Sequence, residues 1–144
     1  MRKVEAQMIQ AVRDFVNGSD LISGKSHKRF GNTEVQSHHH GIRGTHSYQH
    51  TITVWLHNNL IATVYPSCGR MICRDAGWPT TTTKSRLNAL LGAFNDGAGI
   101  YQKAFEWYAS GAIGATEDGW DGSDEFKFSV ADRWQLKTAE AIAG

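Results

Sequence analysis

The side chains best suited to chemistry in this chain are imidazoles. His38, His39 and His40 are consecutive, His46 and His50 follow, and His57 lies one strand length further on. Imidazole ligates zinc, copper or nickel well, so His38, His39, His40, His46 and His50 form a candidate metal site, with zinc or another transition metal as the cofactor it implies. The spacing argues against that site. Successive residues of an extended strand point to opposite faces, so three in a row cannot converge on one ion, and His46 and His50 would stand roughly 13 Å apart in a strand. The competing expectation is a polar, solvated loop with no cofactor, turning cationic near about pH 6.

A second candidate is the run Thr80, Thr81, Thr82, Thr83, Lys84, Ser85, Arg86. A helix N-terminus presents unpaired N–H groups and the positive end of its dipole, so Thr82, Thr83, Lys84 and Arg86 could hold a phosphate or another anion there. Basic residues in a first turn oppose the dipole unless an anion is bound, and that local mismatch is informative. The competing expectation is a capped helix whose Lys84 and Arg86 face solvent or pair with acidic residues of the C-terminal part.

Basic residues also recur with aromatics, as Lys25, Lys28, Arg29, Phe30, Arg43, Tyr48, Trp55, Arg70 and Arg74. A basic sheet face with exposed aromatics binds single strands through phosphate contacts and base stacking, so Trp55, Arg70 and Arg74 join the candidate nucleic-acid residues. The sequence pI of about 7.9 falls short of the strongly basic value usual for such domains. The last candidate is the acidic turn of residues 117–125, where Asp118, Trp120, Asp121 and Asp124 could meet a partner protein. Its carboxylates lack the alternation of a calcium loop, and a solvated turn competes with a partner-facing one. There is no Gly-x-Ser-x-Gly, no Gly-rich phosphate loop with Lys, and no His-Glu-x-x-His, so no catalytic residue is assigned.

The elements that must position these groups follow from periodicity. Val4, Met8, Val12 and Phe15 recur at helical spacing with Arg2, Glu5, Gln10 and Arg13 between them, which predicts an amphipathic N-terminal helix. Residues 17–49 are rich in Gly, Ser, His and basic side chains and read as a His-rich loop or arm with one short strand near Asn32, Thr33, Glu34 and Val35. Ile52, Val54 and Leu56 then alternate with Thr53, Trp55 and His57, which is a strand. Asn58-Asn59 reads as the turn to a second strand at residues 60–65, and residues 70–74 make a third after a Pro-Ser-Cys-Gly turn. Leu87, Leu90, Leu91 and Phe94 mark a helix over residues 84–94, capped by threonines and ending near Gly97. Segments 100–109 and 126–130 are short enough to complete the sheet, although Tyr101, Phe105 and Tyr108 also fit a helical stripe. The expected fold is a single α+β domain over residues 1–144: an antiparallel sheet of about four to six strands packed with an N-terminal and a central helix.

The segments Leu56-His57-Asn58-Asn59-Leu60-Ile61-Ala62 and Gly77-Trp78-Pro79-Thr80-Thr81-Thr82-Thr83-Lys84-Ser85-Arg86-Leu87-Asn88 resemble a family of small tailed-bacteriophage proteins. Those proteins share an opening Met-Arg-Lys-Val-Glu helix, a Gly-Asn-Thr strand start, this hairpin and this helix start, matched here by residues 1–5, 31–33, 56–62 and 77–90. The resemblance implies a phage origin and no particular reaction. The His-rich insert and the longer acidic C-terminal part depart from the family pattern.

Composition bounds the remaining possibilities. With 144 residues, 15 Lys+Arg and 14 Asp+Glu, the chain is long enough to bury roughly 68–70% of its unfolded surface without staples. No apolar run approaches the ~20 residues of a membrane span, and no apolar stretch follows the basic Arg2-Lys3 pair, so neither a membrane partner nor secretion is expected. Two cysteines, Cys68 and Cys73, suggest a reducing compartment. Residues 1–90 carry 11 basic and 5 acidic side chains, while residues 91–144 carry 4 and 9, so the near-neutral total hides two opposed halves. The reading that follows is non-enzymatic: a phage accessory protein of host takeover or anti-defence, acting in the host cytoplasm by binding a host macromolecule, with a host bacterial protein as partner. The alternative is a nucleic-acid-binding protein using the basic sheet face and the helix start at residues 80–86. A His-dependent metalloenzyme comes third.

Overall fold

A computed structural model of the chain describes residues 2–17, 25–40, 49–95, 97–113 and 120–130, with only the backbone at Lys25 and His40. The N-terminal periodicity becomes helix α1, Lys3–Asn17, which buries Met8, Ile9, Ala11, Val12 and Phe15. Glu5 departs from expectation: it belongs to the buried face, only 4% exposed.

Six strands form one antiparallel sheet: β1 (Lys25–Phe30), β2 (Thr33–His40), β3 (Gln49–Leu56), β4 (Asn59–Tyr65), β5 (Arg70–Arg74) and, after an excursion, β8 (Ser123–Lys127). Their order across the sheet is β1-β2-β3-β4-β5-β8, so the first five make a meander and β8 closes the far edge. Alternation sorts the residues by face. Val35, Ile52, Val54, Ala62, Val64, Met71, Cys73 and Phe126 point inward and are essentially buried. They meet α1 and a second helix, α2 (Thr81–Phe94), whose Leu87, Leu90, Leu91 and Phe94 fill the other side of the same core. The architecture is α+β, a sheet with both described helices contributing to its core.

Much of the expected arm is regular structure. Residues 25–40 form the β1–β2 hairpin, closed at Gly31-Asn32 with Gly31 at φ +62, a conformation that glycine adopts without steric cost. Its inward positions are largely polar, including Ser37 and Thr33, both fully buried, so an apolar alternation was absent although a strand was present. The β3–β4 turn also lies one residue earlier than the pattern suggests. His57 and Asn58 have φ of +49 and +65, and both central residues of a type I′ hairpin turn need positive φ.

Helix α2 begins at Thr81 and stops at Phe94, three residues short of Gly97. Thr80 caps it: its Oγ1 accepts from the Thr83 N–H at 3.1 Å. At the other end the Asn95 N–H returns to the Leu91 carbonyl at 2.9 Å, and the Asn95 side-chain amide donates to the Lys127 carbonyl. Thr80→Ala is expected to cost about 1 kcal/mol in urea unfolding, and Thr80→Ser to restore most of it, because only the hydroxyl acceptor matters at this position.

The segment after α2 is a hairpin of its own, β6 (Gly99–Lys103) with β7 (Glu106–Ser110), and it does not complete the main sheet. Ile100 anchors it in the core, and the Asn88 side chain clasps the Ile100 backbone at 2.7 and 2.8 Å. β8 starts at Ser123, three residues earlier than the expected strand, so Asp124 and Glu125 belong to a strand and not to a turn.

Candidate functional site

The face of the sheet opposite the helices collects the outward positions of all six strands. Trp55 on β3 lies between its register partners Glu34 and Leu60. Its indole N–H donates to Thr53 Oγ1 at 2.9 Å, which fixes the ring over the sheet. On β5, Arg70, Ile72 and Arg74 alternate with the buried Met71 and Cys73 and therefore face outward with Tyr65 of β4. Arg74 Nη1 donates to Thr63 Oγ1 at 3.0 Å. The described outward cations are Arg29, Arg70, Arg74 and Lys127, against the carboxylates of Glu34 and Glu125. Arg29 pairs with Glu34 at 2.7 Å and Arg70 with Glu125 at 3.8 Å, whereas Arg74 and Lys127 have no ion-pair partner among the described residues. The hydrogen bond from Gln36, aided by Arg29, holds the Glu34 carboxyl below its ordinary value despite some burial, so it stays ionised and confined to its partners. Trp55, Arg70 and Arg74, singled out in the sequence, thus share one surface.

Other members of the basic and aromatic set do not join it. Lys28 points to the helix side, with its ammonium 3.3 Å from Asp14 and 5.4 Å from the centre of the Phe15 ring. Arg43 and Tyr48 lie outside the described residues.

The helix start at residues 80–86 belongs to the opposite side of the molecule, so it cannot form one site with the sheet face. Arg86 is only 4% exposed and is committed to the fold: Nη1 donates to Glu5 Oε2 at 2.8 Å and Nε to Thr33 Oγ1 at 3.1 Å. Ser85 Oγ donates to the same Glu5 oxygen at 2.6 Å. Burial pushes the Glu5 carboxyl up, but the hydrogen bonds from Ser85, Arg86 and the Arg2 backbone together outweigh it and hold the group below its ordinary value. The cation placed early in α2 is therefore neutralised by α1, not by an external anion. Thr83 is buried, and its hydroxyl is used within the cap with Thr80 and the Trp78 carbonyl. Thr82 and Lys84 remain half-buried. A cleft of about 260 Å³ opens beside this helix start, but its wall includes Asp75 and no Lys or Arg among the described residues.

The histidines divide between the two faces. His39 and His50 are register partners on the inner face, with rings stacked 4.2 Å apart, and both approach Ser37 Oγ, at 3.4 and 2.9 Å. His38 faces outward and meets Thr53 Oγ1 at 3.2 Å. Among the described residues no group of three or more His, Cys, Asp or Glu could hold a metal ion. The His40 side chain and His46 fall outside them.

The acidic turn is likewise dispersed. Asp118 lies outside the described residues. Trp120 turns back onto Trp107 and donates its indole N–H to Asp75 Oδ2 at 2.8 Å. Asp121 is exposed, while Asp124 faces inward opposite Cys73, its carboxyl held above the ordinary value by burial and by the charge of Asp121. Burial also pushes the Cys73 thiol far up, which leaves it inert. Of the described ion pairs only Arg70 with Glu125 joins the basic and acidic parts of the sequence. The opposed halves do not simply cancel through paired side chains.

The model of the Kyanoviridae Gp96 protein family matches residues 1–133. The chain belongs to that family. The resemblance to tailed-phage proteins is thereby narrowed to the Kyanoviridae Gp96 proteins, and the match runs beyond the phage-like segments through the His-rich hairpin and β8. No curated protein and no solved structure matches the chain. No helix of this Gp96-family chain, among the described residues, is long and apolar enough to cross a membrane.

Proposed function

We propose that this Gp96-family chain is a non-enzymatic accessory protein of the phage, working in the cytoplasm of the infected host by binding a macromolecule, and that its open sheet face takes single-stranded nucleic acid. The observation that carries this reading is the convergence of Trp55, Tyr65, Arg70 and Arg74 from three neighbouring strands on one outward face. Bases stack on exposed aromatic rings irrespective of sequence, and cations between the rings meet the phosphates. Arg74 and Lys127 are the cations placed to do so, since Arg29 and Arg70 already face carboxylates. With so few uncommitted charges, the expected binding is modest and salt-sensitive.

The test is titration of a labelled oligo-dT or oligo-rU at low salt. Trp55→Ala is expected to weaken binding about 5- to 100-fold, the worth of one stacked base. Arg74→Ala should reduce the slope of log affinity against log salt by about 0.7, the share of one phosphate contact on a single strand. Absence of binding at low salt removes this reading, and binding unaffected by either variant moves it off this face.

A protein partner from the host, as in takeover or anti-defence, is the second reading. The observation that favours it is the exposure of Trp78 and Phe105, at 66% and 94%.

A further inference from the structure

The hairpin β6–β7 and the strand-to-helix loop before α2 enclose a groove of about 690 Å³. Trp107 and Trp120 supply its aromatic wall, with ring centres 6.5 Å apart and planes inclined by 46°. Phe105 stands at the rim, almost wholly in water, held there by a turn in which both Ala104 and Phe105 have positive φ. Asp75, Glu106 and Asp121 line the same groove, and no Lys, Arg or His does among the described residues. Alternation along β7 turns the Glu106 side chain to the face opposite Trp107, where it accepts from the Tyr108 hydroxyl at 3.3 Å, so Asp75 and Asp121 are the carboxylates beside the rings. Asp75 is the fixed one: Oδ2 accepts from the Trp120 indole, Oδ1 accepts from the Gly77 N–H at 2.8 Å, and its own N–H donates to the Gly122 carbonyl. None of these three acids has an ion-pair partner among the described residues.

We infer that this groove docks an arginine-bearing basic segment of a partner protein. The inference rests on the reading that the protein acts by binding, and not on the sheet face or on nucleic acid. The charge of the lining selects the occupant. A guanidinium stacks on an indole face through its planar cation while its fork of N–H donors reaches carboxylates, and its methylene stem covers apolar surface. Trp107, Trp120 and Phe105 offer the rings, and Asp121, exposed, offers the acceptor at the mouth, with Asp75 behind it. A nucleic-acid strand would meet only like charge here. The two surfaces thus divide by sign: cationic and aromatic on the open sheet, anionic and aromatic in the groove.

The experiment uses the full chain and an octapeptide of alternating Arg and Ser, read by intrinsic tryptophan emission and by calorimetry, with a Glu-Ser octapeptide as control. The expected result is saturable binding of the Arg peptide and none of the Glu peptide. Asp121→Asn is expected to weaken binding at least tenfold at an unchanged melting temperature, since its side chain is exposed. Phe105→Ser, which removes a side chain that packs on nothing, should weaken it as well. Trp55→Ala on the sheet face should leave it unaltered, so failure here is distinct from failure of the nucleic-acid reading. Binding of both peptides alike, binding unchanged in Asp121→Asn, or no binding at millimolar peptide would each overturn the inference.

Discussion

Replacing Glu5 by alanine is expected to destabilise the protein by about 3–5 kcal/mol, read as the loss in unfolding free energy in urea. The reason is what remains behind. Arg86 is 4% exposed, and with the carboxylate gone its guanidinium keeps Thr33 as its side-chain partner among the described residues, in a core that water does not reach. An uncompensated buried charge costs far more than an intact pair gains, so the double variant Glu5→Leu, Arg86→Met should recover much of the loss. A single-variant loss below about 1 kcal/mol would show that the pair is solvated in the working protein. The pair also carries a pH signature. Its carboxyl is lower in the folded chain than in the unfolded one, so between the two values the unfolded state binds more protons and stability rises with pH. The stabilisation is therefore complete above the ordinary carboxylate range and is lost as pH falls through the folded value. Urea unfolding repeated from neutral to acid pH should show a shallower fall in Glu5→Gln than in the natural chain.

Phe126→Ala is expected to be comparably severe, at about 3–5 kcal/mol. Phe126 is fully buried, and it is the principal apolar anchor of β8, which pairs with β5 alone in the main sheet and supports Ile113 through one backbone hydrogen bond. Removing the ring leaves a cavity beside Met71, its register partner. Hydrogen exchange should accelerate first in β8 and β5, while the β2–β3 pairing keeps its protection. Phe126→Leu, which retains most of the volume, should cost clearly less.

What the residue order revealed depended on how far apart the interacting groups are. Helix α2 and strands β3, β4 and β5 were legible because their inward residues are apolar at the right period, and the outward Trp55, Arg70 and Arg74 follow from the same alternation. The β1–β2 hairpin escaped that reading because its inward positions hold Lys28, Ser26 and Ser37. Ser37 is buried with the imidazoles as its partners, while Lys28 stays exposed and lies along the helix to Asp14 and Phe15. Gly31-Asn32 between two short runs was the available signal, a two-residue hairpin turn. Glu5 could not be recognised as buried, since the group that compensates it is Arg86, 81 residues along the chain. For the same reason the helix start looked like an unfilled anion site. The groove was invisible as a unit, because Asp75 and Trp120 meet across 45 residues.

The meander leaves β1 as an end strand with one row of backbone groups unpaired by the sheet, the kind of edge through which chains can stack into aggregates. Three of its six residues are Lys or Arg. Two such edges aligned parallel and in register would set like charges opposite one another at three of the six rungs, which disfavours strand-to-strand polymerisation of this protein. The opposite edge, β8, is guarded differently: Ile113 already donates its N–H to the Glu125 carbonyl. The two ends of the sheet are thus protected by unlike means, electrostatic at one and a local backbone cap at the other, and neither offers a neighbouring molecule a neutral, fully open template.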